Sequence, residues 1–365
     1  MKTPVCDMLN KYASSNAVRL HMPGHKGKFD GCREDITELS FTDNLRVPSG
    51  VILQSQKLYA DVIGCKYCLY GVNGSTGGLF ALAENCRGKV LVESNCHVSL
   101  LNGLKLYGKE SVTVRNGDNN GIPMPLTLQQ ISETLEIHPD IGTVFITSPN
   151  YFGFNAQLKE IYRFLRKKNI LLFVDSAHGA HFGLHKLLPD NAVKYCDATV
   201  ESCHKTLPAM TQTAVVLTNN GKLADSLKQS LNKVTTTSPS FVLVASIEKA
   251  IAYADEHKGD YVLLKKERDR FVQNCKFIGW KVIANDDFTR LVIDCDGHGD
   301  GNDVEKYLEK QNIFIEYSTP RYLVCILTLM DNGMVFDRLF TALKQYVSSG
   351  GKSSAGYVDM CFPNK

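Results

Sequence analysis

Long apolar runs are missing from this sequence. No stretch approaches the roughly 20 apolar residues of a membrane-spanning helix, and the N-terminal MKTPVCDMLNKYASS has no apolar core of signal-peptide length. Both absences point to a cytoplasmic protein with no membrane association. A charge of one sign is missing too. Lys and Arg number 41 against 38 Asp and Glu, a formal net charge of +3. No basic block is interleaved with aromatics, so nucleic-acid binding is not expected. There is no internal repeat and no low-complexity segment. The 12 cysteines are scattered over 365 residues, unlike a small disulfide scaffold. Cys65 and Cys68 have CxxC spacing, but a second pair to complete a zinc site is lacking. No metal is expected, and reduced, packed thiols are.

What is present is alternation. KVLVE (89–93), TVFITS (143–148), ILLFVD (170–175), DATVE (197–201) and TAVVLT (213–218) read as short strands. Residues 155–168 between them place Leu158, Ile161, Tyr162 and Leu165 on one helical face. ILLFVD is apolar throughout, as in a strand buried on both faces. Such alternation predicts an α/β fold: a mostly parallel sheet in a large domain. From about residue 255 the texture changes. ADEHKGDYVLLKKERDRFVQNC reads as one long polar-faced helix, and TRLVIDCD, a helix over 303–311, IFIEYS and YLVCILTL suggest a smaller α+β C-terminal domain. The expected division is an N-terminal segment at 1–40, a large domain at 41–255, a small domain at 256–350 and a tail at 351–365.

Ligands of open α/β sheets bind beyond the carboxyl ends of the strands, so the residues just after each strand carry the functional question. After KYCLYGV comes NGSTGG (73–78), a glycine-rich turn opening a helix. Its backbone N–H groups, the Ser75 and Thr76 hydroxyls and the helix dipole suit an anion. It lacks the GK[ST] ending of a Walker loop and the spacing of a dinucleotide fingerprint. After KVLVE comes SNCHVS, with His97. After ILLFV comes DSAHGAHFG, with Asp175, His178 and His181. After DATVE come Ser202, His204 and Lys205. Each has an ordinary alternative: a helix-capping aspartate, structural histidines, a plain turn, a surface lysine. Together they suit one ligand. It has a phosphate for Ser75 and Thr76, a ring for His97 to face, a basic ring nitrogen for Asp175 and an aldehyde for Lys205. Pyridoxal 5′-phosphate (PLP) has all four.

At these residues the chain resembles the Orn/Lys/Arg decarboxylase family, fold-type-I PLP enzymes with a transferase-like fold that act on basic amino acids. The resemblance runs from about residue 19 to 250. It rests on RLHMPGHKG (19–27), ITELSFTDNLRVPSG (36–50), NGSTGG, SNCHVS, SPNYFG (148–153), DSAHGAHFG, SCHKTLPAMTQTAVV (202–216) and TTTSPSF (235–241), in that order. It implies that Lys205 is the Schiff-base lysine, with His204 shaping the site beside it. Asp175 is the implied partner of the pyridine nitrogen, and His97 the implied stack on the ring. Ser75, Thr76 and Ser202 are implied phosphate ligands. His178 is implied to lie near the reacting bond, with Ala177 among the cofactor contacts. A homodimer with its active site at the interface is implied as well. TTTSPS would then reach a neighbour's cofactor, with Thr236 to Ser238 as candidates, and HMPGHKG would lie at the site entrance.

Three departures stand out. Ser176 replaces the usual Glu of DEAHGAH, Val98 follows His97 where the family has HKS, and the chain is expected to stop short of the family's further C-terminal domain. The expected reaction is decarboxylation of arginine, lysine or ornithine to the amine and carbon dioxide. Lys205, His178 and Asp175 are the expected catalytic residues. Substrate choice is open, with Glu316 a candidate for a basic side chain. An aminotransferase stays open through Arg321, which could clamp an α-carboxylate, as does a PLP-binding homologue without turnover.

Overall fold

The computed structural model describes residues 1–348; the tail expected at 351–365 lies outside them. The chain divides into two compact units, Met1–Gly259 and a second beginning at Asp260. In the first unit nine strands follow in chain order: β1 (Tyr67–Gly71), β2 (Lys89–Glu93), β3 (Ser111–Val114), β4 (Gly117–Asn119), β5 (Ile122–Met124), β6 (Ile141–Thr147), β7 (Leu171–Asp175), β8 (Ala198–Ser202) and β9 (Ala214–Thr218). Seven form one sheet in the order β1-β9-β8-β7-β6-β2-β3, and β4 and β5 make a separate ribbon. The sheet is parallel except at β9, which runs against both of its neighbours. The connection from Ser202 to Ala214 is shorter than the dozen or so residues of a parallel crossover, so β9 has to return antiparallel.

The helices of this unit are α1 (Pro4–Ala13), α2 (Val51–Ile63), α3 (Gly74–Glu84), α4 (Val98–Leu106), α5 (Leu128–Ile137), α6 (Leu158–Lys167), α7 (Cys203–Thr206), α8 (Gly221–Val234) and α9 (Phe241–Glu256). They cover both faces of the sheet, and period-2 alternation along each strand feeds two cores. Phe145, Phe173, Val200 and Val216 join Leu79, Leu82 and Leu227 on one side. Val144, Ile146, Leu172 and Val174 join Ile131, Ile161 and Leu165 on the other. The helical face read at Leu158, Ile161 and Leu165 is therefore the buried one, with Tyr162 at its margin. Gly78 lets α3 lie directly on the sheet, because a Cβ there would collide with Val200 and stand 3.0 Å from Val216. The N-terminal helix is pinned by Glu248 of α9, whose carboxylate accepts from the N–H groups of Val5 (3.2 Å) and Cys6 (2.8 Å).

The single helix expected across ADEHKGDYVLLKKERDRFVQNC does not form. α9 ends at Glu256, a short 3-10 turn spans Lys258–Asp260, and α10 (Tyr261–Phe277) starts afresh. Gly259 weakens helix continuity there, as glycine does in helix interiors. The second unit holds a four-stranded antiparallel sheet ordered β10-β11-β13-β12. Its strands are β10 (Lys281–Val282), β11 (Arg290–Asp294), β12 (Tyr317–Ser318) and β13 (Tyr322–Ile326), with α11 (Gly301–Lys310) and α12 (Gly333–Ser348) beside them. IFIEYS contributes only its last two residues to a strand. No helix among the described residues is long and apolar enough to cross a membrane.

Burial leaves one strong electrostatic mark on the sheet. Glu201 of β8 is fully buried; its Oε1 accepts from Asn191 Nδ2 at 2.8 Å, and its Oε2 has no partner. Burial pushes its carboxyl up to about 8. Between about 4.5 and about 8 the folded protein holds a proton that the unfolded chain releases. Stability is therefore greatest below that window and declines as pH rises through it, by at most about 1.4 kcal/mol per pH unit. Thermal melts from pH 5 to 9 should show this decline, and Glu201→Gln should flatten it. An equal slope in the variant would show that Glu201 is not its source.

Candidate active site

Strands β1, β2, β6, β7 and β8 run the same way, so their carboxyl ends lie along one edge of the sheet. That edge collects the polar residues singled out in the sequence. After β1 the chain turns through Gly74, whose φ of +63° favours glycine, into α3. The N-cap Asn73 makes no side-chain cap hydrogen bond, which leaves α3 open to an anion at its positive end. Ser75 and Thr76 stand half-buried in its first turn. Thr76 Oγ1 lies 3.0 Å from Ser99 Oγ, tying α3 to α4.

After β2, His97 caps α4: its Nδ1 accepts from the Ser99 N–H at 3.1 Å. This contact places the proton of a neutral ring on Nε2. The ring is exposed. The ordinary reading of His97 as a structural histidine thus holds for one nitrogen and leaves the ring face accessible.

Asp175 is the last residue of β7 and only 4% exposed. Its Oδ1 accepts from the Ala177 N–H at 3.1 Å. Burial pushes its carboxyl above the usual range, against the pull of Lys205, of the Ala177 N–H and of His97. A buried carboxyl so placed favours a further positive charge beside it. The Ala177 carbonyl accepts from the Ser202 N–H at 3.3 Å, which stitches the end of β7 to the end of β8. His178 is buried, and its Nε2 lies 3.1 Å from Lys205 Nζ. Lys205 itself is half-buried on α7, the single turn that follows β8. His204 points to the return strand, with Nδ1 2.9 Å from the Thr213 carbonyl oxygen.

Ser202 has no exposed surface, and its Oγ has no hydrogen-bond partner. An orphaned buried hydroxyl costs about 1–3 kcal/mol, so its natural counterpart is a ligand atom. The uncapped α3, the orphaned Ser202, the buried Asp175 and the amine of Lys205 match a phosphate, a protonatable ring nitrogen and an aldehyde. The donor set therefore fits PLP.

Not every candidate joins this group. Thr236 lies exposed in the loop after α8, and its Oγ1 accepts from the Ser238 N–H at 3.1 Å. The loop does leave α8 beside the glycine-rich turn, where Asn73 Nδ2 donates to the Val234 carbonyl at 3.4 Å. His181 is buried and packs on Phe182, ring centroids 4.7 Å apart. In HMPGHKG, His25 pairs with Asp35 at 3.1 Å and His21 with the Tyr12 hydroxyl at 2.6 Å. Burial pushes the Cys65 thiol up to about 12 and Cys68 well above its usual value, which keeps both protonated. Arg321 is already engaged: Nε and Nη2 donate to Asp294 at 3.2 Å each. The sequence reading missed Tyr151, whose ring meets His178 edge-on at 4.7 Å between centroids. SPNYFG marks its place after β6, but periodicity does not show that a tyrosine there faces a histidine after β7.

The large, mostly parallel sheet with a separate small antiparallel unit is that of the fold-type-I enzymes, whose cofactor is PLP. The Orn/Lys/Arg decarboxylase major-domain family matches residues 3–278, and the chain belongs to that family. It is 30% identical over 377 residues to an arginine decarboxylase of Bacillus subtilis, covering 94% of this chain and 77% of that one. Its fold matches the Francisella novicida lysine decarboxylase LdcF with a TM-score of 0.81 at 19% identity, over 95% of this chain and 60% of that one. The chain thus spans about three-fifths of the length of that enzyme. A structure described as SPT with PLP matches with a TM-score of 0.67 at 14% identity, over 86% and 81% of the two chains.

Proposed function

We propose that the protein decarboxylates a basic amino acid (arginine, lysine or ornithine) with PLP carried on Lys205. The observation behind this reading is the group formed by Asp175, His178 and Lys205 at the sheet edge, beside the orphaned Ser202 hydroxyl. When bound, PLP supplies an electron sink for the bond between the α-carbon and its carboxylate. The chain does the rest. The N-terminus of α3, Ser75, Thr76 and Ser202 hold the phosphate. Asp175 keeps a proton on the ring nitrogen, and its burial makes that charge pairing strong. His97 and Ala177 would contact the ring, and His204 fixes α7 through Thr213. Lys205 and His178, 3.1 Å apart, hold the proton that returns to the α-carbon. The burial of His178 keeps competing water from its ring. The exposed Thr236 loop serves the site of a second copy, in a homodimer.

Protein purified with PLP should release carbon dioxide and the matching amine from one of arginine, lysine or ornithine. An oxo acid formed without carbon dioxide would overturn this in favour of an aminotransferase. The engaged Arg321 gives that alternative no support.

A further inference from the structure

We propose that Glu93 and Asn116 are a pair of positioning residues that hold the His97 loop in place for the cofactor ring, a role that rests on the reading of His97 as a ring contact. Glu93 is the last residue of β2 and only 1% exposed. An apolar side chain would satisfy the packing at that position. A buried carboxyl costs free energy unless its hydrogen bonds are made, and burial does push this one above the usual range.

Its hydrogen bonds are made by three segments that meet around the end of β2. Glu93 Oε1 accepts from Asn116 Nδ2, after β3, and from the Leu126 N–H, after β5, at 3.2 Å each. Oε2 accepts from the N–H of Thr147, the last residue of β6, at 2.6 Å. The next residue, Ser148, donates its N–H to the Asp175 carbonyl at 3.0 Å. One oxygen of Glu93 is thus fixed to the sheet, and the other orients the Asn116 amide.

Asn116, also buried, passes that order to the loop. Its Nδ2 donates to the Met124 carbonyl as well, at 3.0 Å. With both amide hydrogens so directed, Oδ1 faces the loop. It accepts from Ser94 Oγ at 2.9 Å and from the Asn95 N–H at 3.3 Å. The Asn116 N–H donates back to Ser94 Oγ at 3.1 Å. The Cys96 N–H closes on the Glu93 carbonyl at 3.2 Å. Residues 94–96 are therefore held one after another, and His97 follows them directly as the cap of α4. A fully satisfied buried network of this kind rigidifies what it holds.

The test joins amide exchange in the apoprotein to a PLP-affinity cycle. Asn116→Ala, and Glu93→Gln as a second variant that keeps the size of the side chain, should speed exchange across 94–99 by roughly tenfold or more, while strands β8 and β9 stay protected. Titration of the apoprotein with PLP should show about tenfold weaker binding in Asn116→Ala. His97→Asn removes the ring and keeps a capping side chain. In that background Asn116→Ala should cost less than about twofold, because the pair acts through His97. Unchanged exchange in both variants overturns the proposal, and so does an equal loss of affinity in the two backgrounds. Wild-type affinity in His97→Asn removes His97 from the proposed site. That failure belongs to the functional reading, and the exchange rates still decide whether the pair holds the loop.

Discussion

Lys205→Ala should cost at least about 10⁴-fold in turnover, the scale of losing a covalent catalytic group, and should abolish the visible absorbance of bound PLP while leaving the fold intact. The fold is spared because α7 is a single turn whose ends are held by other contacts. The Cys203 N–H donates to the Thr213 carbonyl at 3.1 Å, and the Leu207 N–H to the Cys203 carbonyl at 2.9 Å. Neither contact uses the lysine side chain, so the stability change should stay within about 1 kcal/mol. The chemistry is not spared, because the amine beside His178 would be gone and PLP would lose its anchor. Circular dichroism, the visible spectrum and carbon dioxide release on the same preparation separate these effects. Absorbance that survives in Lys205→Ala would show that another residue carries the cofactor.

Asp175→Asn should slow turnover by roughly 10²- to 10⁴-fold and leave the cofactor bound. Asparagine keeps an oxygen to accept the Ala177 N–H that Asp175 now holds at 3.1 Å, so the local turn survives. The negative charge does not. Burial already pushes this carboxyl upward, and replacing it with a neutral amide should leave stability unchanged or slightly raised. A variant that is more stable and yet far slower separates a catalytic carboxylate from a structural one. Asp175→Ala loses both the charge and the turn contact and should be at least as slow. Near-normal turnover in Asp175→Asn would remove Asp175 from its proposed role; retained PLP with slow turnover would support it.

The sheet and its active edge were legible because buried parallel strands write themselves as short apolar runs. LLFVD and ATVES end where the polar residues begin, and ligands gather at such ends. Strand direction was harder to read. TAVVLT is as apolar as its parallel neighbours, and only the short link from Ser202 shows that β9 must come back. Helix continuity was misread around Gly259, since a polar-faced pattern spans α9 and α10 without registering a break of a few residues. The candidate site was legible as residue types in order, which is how Asp175, His178 and Lys205 stood out. Pair geometry was not. The contacts of Tyr151 with His178 and of Thr76 with Ser99 each join residues from segments far apart in the chain, and no local pattern encodes them. Thr236 marks the opposite limit: within one chain its hydroxyl turns back to Ser238, and its proposed work belongs to a second copy.

The most direct test of the account is borohydride reduction of the PLP-loaded protein, followed by digestion and peptide mass spectrometry. The account predicts one pyridoxyl-modified peptide, the one containing SCHKT, with the modification on Lys205. A modification on any other lysine, or none on a preparation that releases carbon dioxide, would contradict it.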